Sequence, residues 1–122
     1  MHIHPTRAQL ERLGAAEADG PVVMLNLLRY LPDGGAERYA TYAREVQPFL
    51  TAVGGRVVWQ GSADGVVIGD DDADAWDAVL LVEYPSREAF LRMATDEGYL
   101  EVSKHRTAAL ADSRLVACTA RR

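Results

Sequence analysis

The chain has 122 residues, enough to bury roughly two thirds of its unfolded surface around one core and too few for two, so a single domain over residues 1–122 is expected. Thirteen Lys and Arg against eighteen Asp and Glu give a net charge of −5, which argues against a nucleic-acid partner. Cys118 is the only cysteine, which excludes a disulfide framework and a thiolate-rich metal site; with no apolar run near the ~20 residues of a membrane span and no charged-then-apolar leader, a cytoplasmic protein is expected.

Pro5-Thr6-Arg7-Ala8-Gln9 reads as a helix start, because Thr6 can cap an orphan amide and Gln9 can reach back to complete a capping box. Leu10 and Leu13 form its narrow apolar stripe. Gly14 predicts an end there, or fraying through Ala18 before a turn at Asp19-Gly20-Pro21, so a leading helix is expected within residues 1–20. Residues 22–30 read as a strand that is apolar on both faces apart from Asn26. Pro32-Asp33-Gly34-Gly35 breaks it, and Tyr39, Tyr42, Ala43, Val46, Leu50 and Val53 then recur at the three- and four-residue spacings of an amphipathic helix. Pro48 within that pattern predicts a kink or an early stop.

Gly54-Gly55 ends the helix, residues 56–61 read as a strand, and Asp64-Gly65 predicts a hairpin turn before an extended run at 66–68. The acidic stretch Asp70, Asp71, Asp72, Asp74 lacks the glycine and distal glutamate of a calcium loop, so a solvated turn is expected. Residues 78–83 are β-prone and apolar on both faces until Glu83. Pro85 lacks the amide a ladder needs, and Ser86 can cap a helix continued by Ala89, Phe90 and Met93. A further helical pattern runs over 99–110, and residues 115–119 supply the last strand.

Without the leading helix the order is β-α-β-β-α-β, which right-handed crossovers fold into a four-stranded antiparallel sheet with helices on one face. The other face is left bare. Four strands about 4.8 Å apart and about six residues long leave an uncovered area on the order of 400 Å², about the largest apolar patch a lone soluble protein tolerates. A homodimer joined through that face is expected.

Gly20-Pro21-Val22-Val23-Met24-Leu25-Asn26-Leu27-Leu28, the tyrosine-bearing helix, Gly54-Gly55 and Glu83-Tyr84-Pro85-Ser86 together resemble a bacterial family of unknown function within the dimeric α/β-barrel superfamily. The resemblance covers nearly the whole chain. It implies an α+β, ferredoxin-like protomer, here with an extra leading helix, whose sheet pairs with that of a second copy to enclose a barrel. It also implies a pocket, either between sheet and helices or inside the barrel. Relatives of that superfamily include cofactor-independent monooxygenases, small-molecule isomerases and haem-degrading enzymes, so the resemblance does not select a reaction.

Strand parity places Asn26 with Met24 and Leu28, and Glu83 with Val79 and Leu81. A helix-to-sheet core free of polar atoms costs less, so both polar residues are expected on the barrel side; the alternative is that both are solvated near strand ends. Arg106 falls in the apolar helical row of Tyr99, Val102, Ala109 and Leu110. It must pair with an acid, for which Glu83 is the candidate, anchor a carboxylate-bearing ligand, or snorkel.

His105, at the edge of that row, is the candidate acid or base, with Glu83 as its orienter or as a base in its own right. Asn26 and Arg106 would polarise or anchor a carbonyl or carboxylate, and Trp59 and Tyr42 would line the pocket. His2 and His4 lack a third ligand, so no metal site is expected, and no cofactor is required. The asparagine, tryptophan and histidine of the haem-degrading relatives have counterparts in Asn26, Trp59 and His105 by residue type but not by spacing. Three readings stay open: a binder of a small organic acid or carbonyl compound, a cofactor-independent enzyme of monooxygenase or isomerase type using His105 and Glu83, and a purely structural dimer.

Overall fold

The computed structural model describes residues 1–16 and 20–121. Helix α1 (Arg7–Ala15) opens on the expected capping box: Thr6 Oγ1 accepts the Gln9 amide and Gln9 Oε1 accepts the Thr6 amide. The fraying expected through Ala18 and the turn at Asp19 lie outside the described residues. Strand β1 (Val22–Tyr30) follows, then helix α2 (Gly35–Ala52), strands β2 (Arg56–Ser62) and β3 (Ala78–Tyr84), helices α3 (Arg87–Ala94) and α4 (Glu97–Ala109), and strand β4 (Leu110–Cys118). The strands form one antiparallel sheet in the order β2-β3-β1-β4, the ferredoxin-like arrangement. Two helices occupy the second crossover, because Asp96 caps a new helix by accepting the Tyr99 amide.

Three local expectations are corrected. Helix α2 does not stop early at Pro48 but runs to Ala52, since its buried face of Tyr39, Tyr42, Val46 and Leu50 offsets one lost backbone hydrogen bond. Residues 66–68 form no strand: Val67 and Ile68 are each 96% exposed. That loop is held instead by its own acids, with Asp70 Oδ1 accepting the Asp72 and Ala73 amides and Asp74 Oδ2 accepting the Asp70 amide. Finally, β4 starts at Leu110, directly after α4, because Leu110 is already extended at φ −106° and ψ 133°.

The faces of the sheet follow from register. Val22, Met24 and Leu28, at 1%, 3% and 0% exposed, point to the helices together with Val82 and Tyr84. The opposite face carries Val23, Leu25 and Leu27 beside Glu83, Leu81 and Val79, and none of the described helices covers it. A bulge between Val57 and Trp59 shifts the parity of β2, so Trp59 stands opposite Leu81 on the bare face, 54% exposed.

On the helix side the buried side chains form two clusters rather than one. The first gathers Val22, Met24, Leu50, Val82, Tyr84, Ala89, Phe90 and Met93; the second gathers Leu28, Tyr39, Tyr42, Val46, Ala109 and Leu110. Leu80 and Tyr99, both only partly buried, pack against each of them.

Candidate ligand-binding cleft

Between the helix-facing side of the sheet and α2 and α4 lies a cleft of about 1200 Å³. Its sheet wall includes Met24, Asn26, Leu80, Leu115 and Ala117; its helical wall includes Tyr39, Tyr42, Val46, Leu50, Tyr99 and Arg106. Exposed side chains at Val57, Leu100 and Leu115 mark where it meets solvent.

Asn26 corrects the expected placement. It shares parity with Val22, Met24 and Leu28, the buried positions of β1, and therefore faces the helices rather than the bare face. A polar side chain is tolerated there because the cleft leaves that part of the wall unpacked. Its Nδ2 donates to the Met24 carbonyl at 3.2 Å, so its carbonyl oxygen keeps its acceptor capacity.

Arg106 lines the same cleft from α4 and is partly buried. It does not meet Glu83. Its Nη1 donates to the Ile3 carbonyl at 2.8 Å and its Nη2 to Ser113 Oγ at 3.4 Å, while Ser113 Oγ donates to the His2 carbonyl at 2.6 Å. No carboxylate pairs with Arg106 among the described residues. Two of the five N–H groups of a guanidinium are thereby used, and the others remain able to donate. Arg12 and Arg114 also reach the cleft lining but are exposed, and Arg114 is paired with Asp112.

The tyrosines form a second polar feature. Rings of Tyr30, Tyr39, Tyr42 and Tyr99 follow one another at centroid distances of 5.8, 5.3 and 6.4 Å, and the Tyr42 and Tyr99 hydroxyls lie 3.0 Å apart. Burial lifts the Tyr39 phenol to about 12, against the opposing pull of Arg106. Burial, and then the adjoining Tyr99, push Tyr42 up as well. Both are neutral phenols at physiological pH, able to donate or accept.

At the Ser113 end the leading segment is tied down. Asp112 Oδ1 accepts the His2 amide at 2.7 Å, the Ser113 amide at 2.9 Å and Arg114 Nη1 at 2.8 Å. Desolvation raises the Asp112 carboxyl, but the hydrogen bonds from His2, Arg114 and Ser113 together outweigh it and hold the group down at about 2.

Of the expected site residues, Asn26, Tyr42 and Arg106 come together in the cleft. The others do not. Glu83 lies across the sheet, where its Oε1 accepts from Arg56 Nη2 at 3.0 Å, and Trp59 shares that bare face. His105 sits in the seam between α2 and α4: its Nδ1 accepts from Arg38 Nε at 2.8 Å and its Nε2 lies 3.1 Å from Glu45 Oε2. A ring that accepts at Nδ1 carries its proton on Nε2, so both nitrogens are engaged outside the cleft. Tyr99 and Ser113 were not singled out from the sequence. Tyr99 stands in the same helical row as Arg106, which was a usable signal; Ser113 could be placed only once β4 is known to start at Leu110.

Among the described residues, no group of three or more His, Cys, Asp or Glu is arranged to hold a metal ion. None of the described helices is long and apolar enough to cross a membrane.

Fold and cleft define an α+β protein of the ferredoxin-like type. The family model of DUF1330, a domain of unknown function, matches residues 34–119, and the chain belongs to that family. The RPA0582 protein of unknown function from Rhodopseudomonas palustris is 42% identical and superposes with a TM-score of 0.91, covering 99% of this chain and 98% of that one. A dimeric ferredoxin-like protein of unknown function from Thermobifida fusca, 11% identical, superposes at 0.58 over 87% of this chain and 96% of its own. SnoaB, a cofactor-independent oxygenase from Streptomyces nogalater, 23% identical, superposes at 0.56 over 86% and 96%. These last two are alike in fold. No curated protein matches the chain.

Proposed function

We propose that the protein is a homodimer that binds a small organic acid or carbonyl compound in the cleft between its sheet and helices. The observation that carries this reading is Arg106, a partly buried cation with no carboxylate partner among the described residues, lining the same cavity as Asn26 and Tyr42. A guanidinium so placed recognises a carboxylate through paired N–H donors, and the neutral phenols and Asn26 add orientation. Pairing of two copies through the bare face is supported by its apolar row of Val23, Leu25, Leu27, Val79 and Leu81, and by relatives described as dimeric.

A cofactor-independent enzyme is the second reading, favoured by the likeness in fold to SnoaB. It is the weaker of the two, because His105 and Glu83 lie on different sides of the molecule, and among the described residues the cleft lining holds no carboxylate and only two histidines, His2 and His4, both exposed on the leading segment.

Thermal-shift measurements with benzoate and pyruvate on the wild type and on Arg106→Ala test the reading. A ligand-induced rise in Tm that disappears in Arg106→Ala is expected. A rise that survives the substitution removes Arg106 as the anchor, and no rise with any acid or carbonyl compound removes the binding reading.

A further inference from the structure

The cleft is larger and more apolar than a small acid requires. Protein interiors leave few voids bigger than a water molecule, yet here the helix-side core divides into two clusters bridged only by Leu80 and Tyr99, both of which line the cleft. The partly buried cation and the buried hydroxyl stand at one end, whereas Gln9 and Arg12, which line the cleft from α1 beside the first cluster, are exposed. Arg106 and Ser113 stand beside the second cluster, where Ser113 is opposite Leu28 on β1. Ala117, four residues along the same strand, is opposite Met24 of the first cluster and also lines the cleft. Four residues of extended chain cover about 13 Å. The cleft is therefore an elongated space with its one partly buried cation at one end and an apolar floor and roof towards the other.

Resting on the binding reading above, we propose that the ligand is an amphipathic carboxylic acid, with its head on Arg106 and a hydrocarbon body lying along β4 between the two clusters. Such a molecule supplies both things this site lacks: an anion for a partly buried guanidinium and apolar volume to join the divided core. An aliphatic chain also suits walls made of Leu80, Val46, Leu50 and Val82, which offer dispersion contacts and few directional hydrogen bonds.

Isothermal titration calorimetry with butanoate, hexanoate, octanoate and octan-1-ol tests this on the wild type and on two variants, Arg106→Gln and Ala117→Phe. Ala117 is exposed, so the larger ring narrows the apolar end at little risk to folding. Affinity is expected to rise about fourfold per added methylene. Octan-1-ol is expected to bind at least tenfold more weakly than octanoate, a preference that Arg106→Gln erases, and Ala117→Phe to weaken octanoate at least tenfold while sparing butanoate. Equal affinity for butanoate and octanoate would overturn the amphipathic ligand and leave a small-acid site at Arg106 standing. No binding by any of the acids would take the underlying reading down with it.

Discussion

The hydroxyl oxygens of Tyr42 and Tyr99 lie 3.0 Å apart and join α2 to α4 across the roof of the cleft. Tyr42 is only 8% exposed, so its phenol has little water to turn to when that partner is lost. Tyr99→Phe is expected to cost about 1–2 kcal/mol in urea denaturation, and Tyr42→Phe a similar amount. The double variant should cost less than the sum, because it leaves no unpaired hydroxyl behind. Strictly additive losses would mean that this contact contributes nothing of its own.

Arg106 and Glu83 are expected to be energetically independent. The sheet stands between them, with Arg106 bonded to Ile3 and Ser113 and Glu83 paired with Arg56. A double-mutant cycle with Arg106→Met and Glu83→Gln should close to within about 0.5 kcal/mol. The Arg56–Glu83 pair is itself solvent-accessible, so Arg56→Met should cost no more than about 1 kcal/mol. A coupling of several kcal/mol in the first cycle would contradict the register that separates the two faces.

Light scattering should report twice the chain mass at micromolar concentration, with Leu81→Lys reducing it to that of one chain. Leu81 is opposite Leu25 on β1 and Trp59 on β2, so a charge there falls in the middle of the bare face. If Leu81→Lys remains a dimer, the two copies meet through another surface.

Two of the shifted groups give predictions for the pH dependence of stability. Asp112 is held at about 2, below its ordinary 3.8. A depressed carboxyl adds stability that is fully present above the unfolded value and is lost as pH falls from about 4 through about 2. Tyr39 is lifted from 10.0 to about 12, so its contribution is complete below about 10 and lost as pH rises through about 12. Denaturation midpoints followed over both windows check the signs: Asp112→Asn should flatten the acid limb and Tyr39→Phe the alkaline one. An unchanged acid limb in Asp112→Asn would show that the knot of hydrogen bonds around His2 is not what holds this end of β4.

The elements with strong local signals were legible in the sequence. The capping box at Thr6, the doubly apolar strand at Val22–Tyr30 and the Ser86 cap each announce themselves within a few residues. What was not legible depends on distant partners. The start of β4 was hidden because Asp112, Ser113 and Arg114 are polar and find their bonds with His2, Arg106 and Asp112 rather than in an apolar pattern. Asn26 was assigned to the wrong face because the rule that a helix-to-sheet core carries no polar side chain fails where a cleft keeps that core open. The face of Trp59 could not be read from the sequence, because the bulge that sets it changes side-chain parity without any glycine or proline to mark it. For Arg106, the sequence left open a pair with Glu83, a carboxylate ligand or snorkelling, and the register was needed to remove Glu83.

The most direct measurement is a crystal structure of the protein grown with octanoate. Density is expected between α2, α4 and β4, with the carboxylate on Arg106 and the chain running towards Ala117. Octanoate found between two sheets against Leu81 and Trp59, with the cleft beside Arg106 holding only solvent, would contradict it.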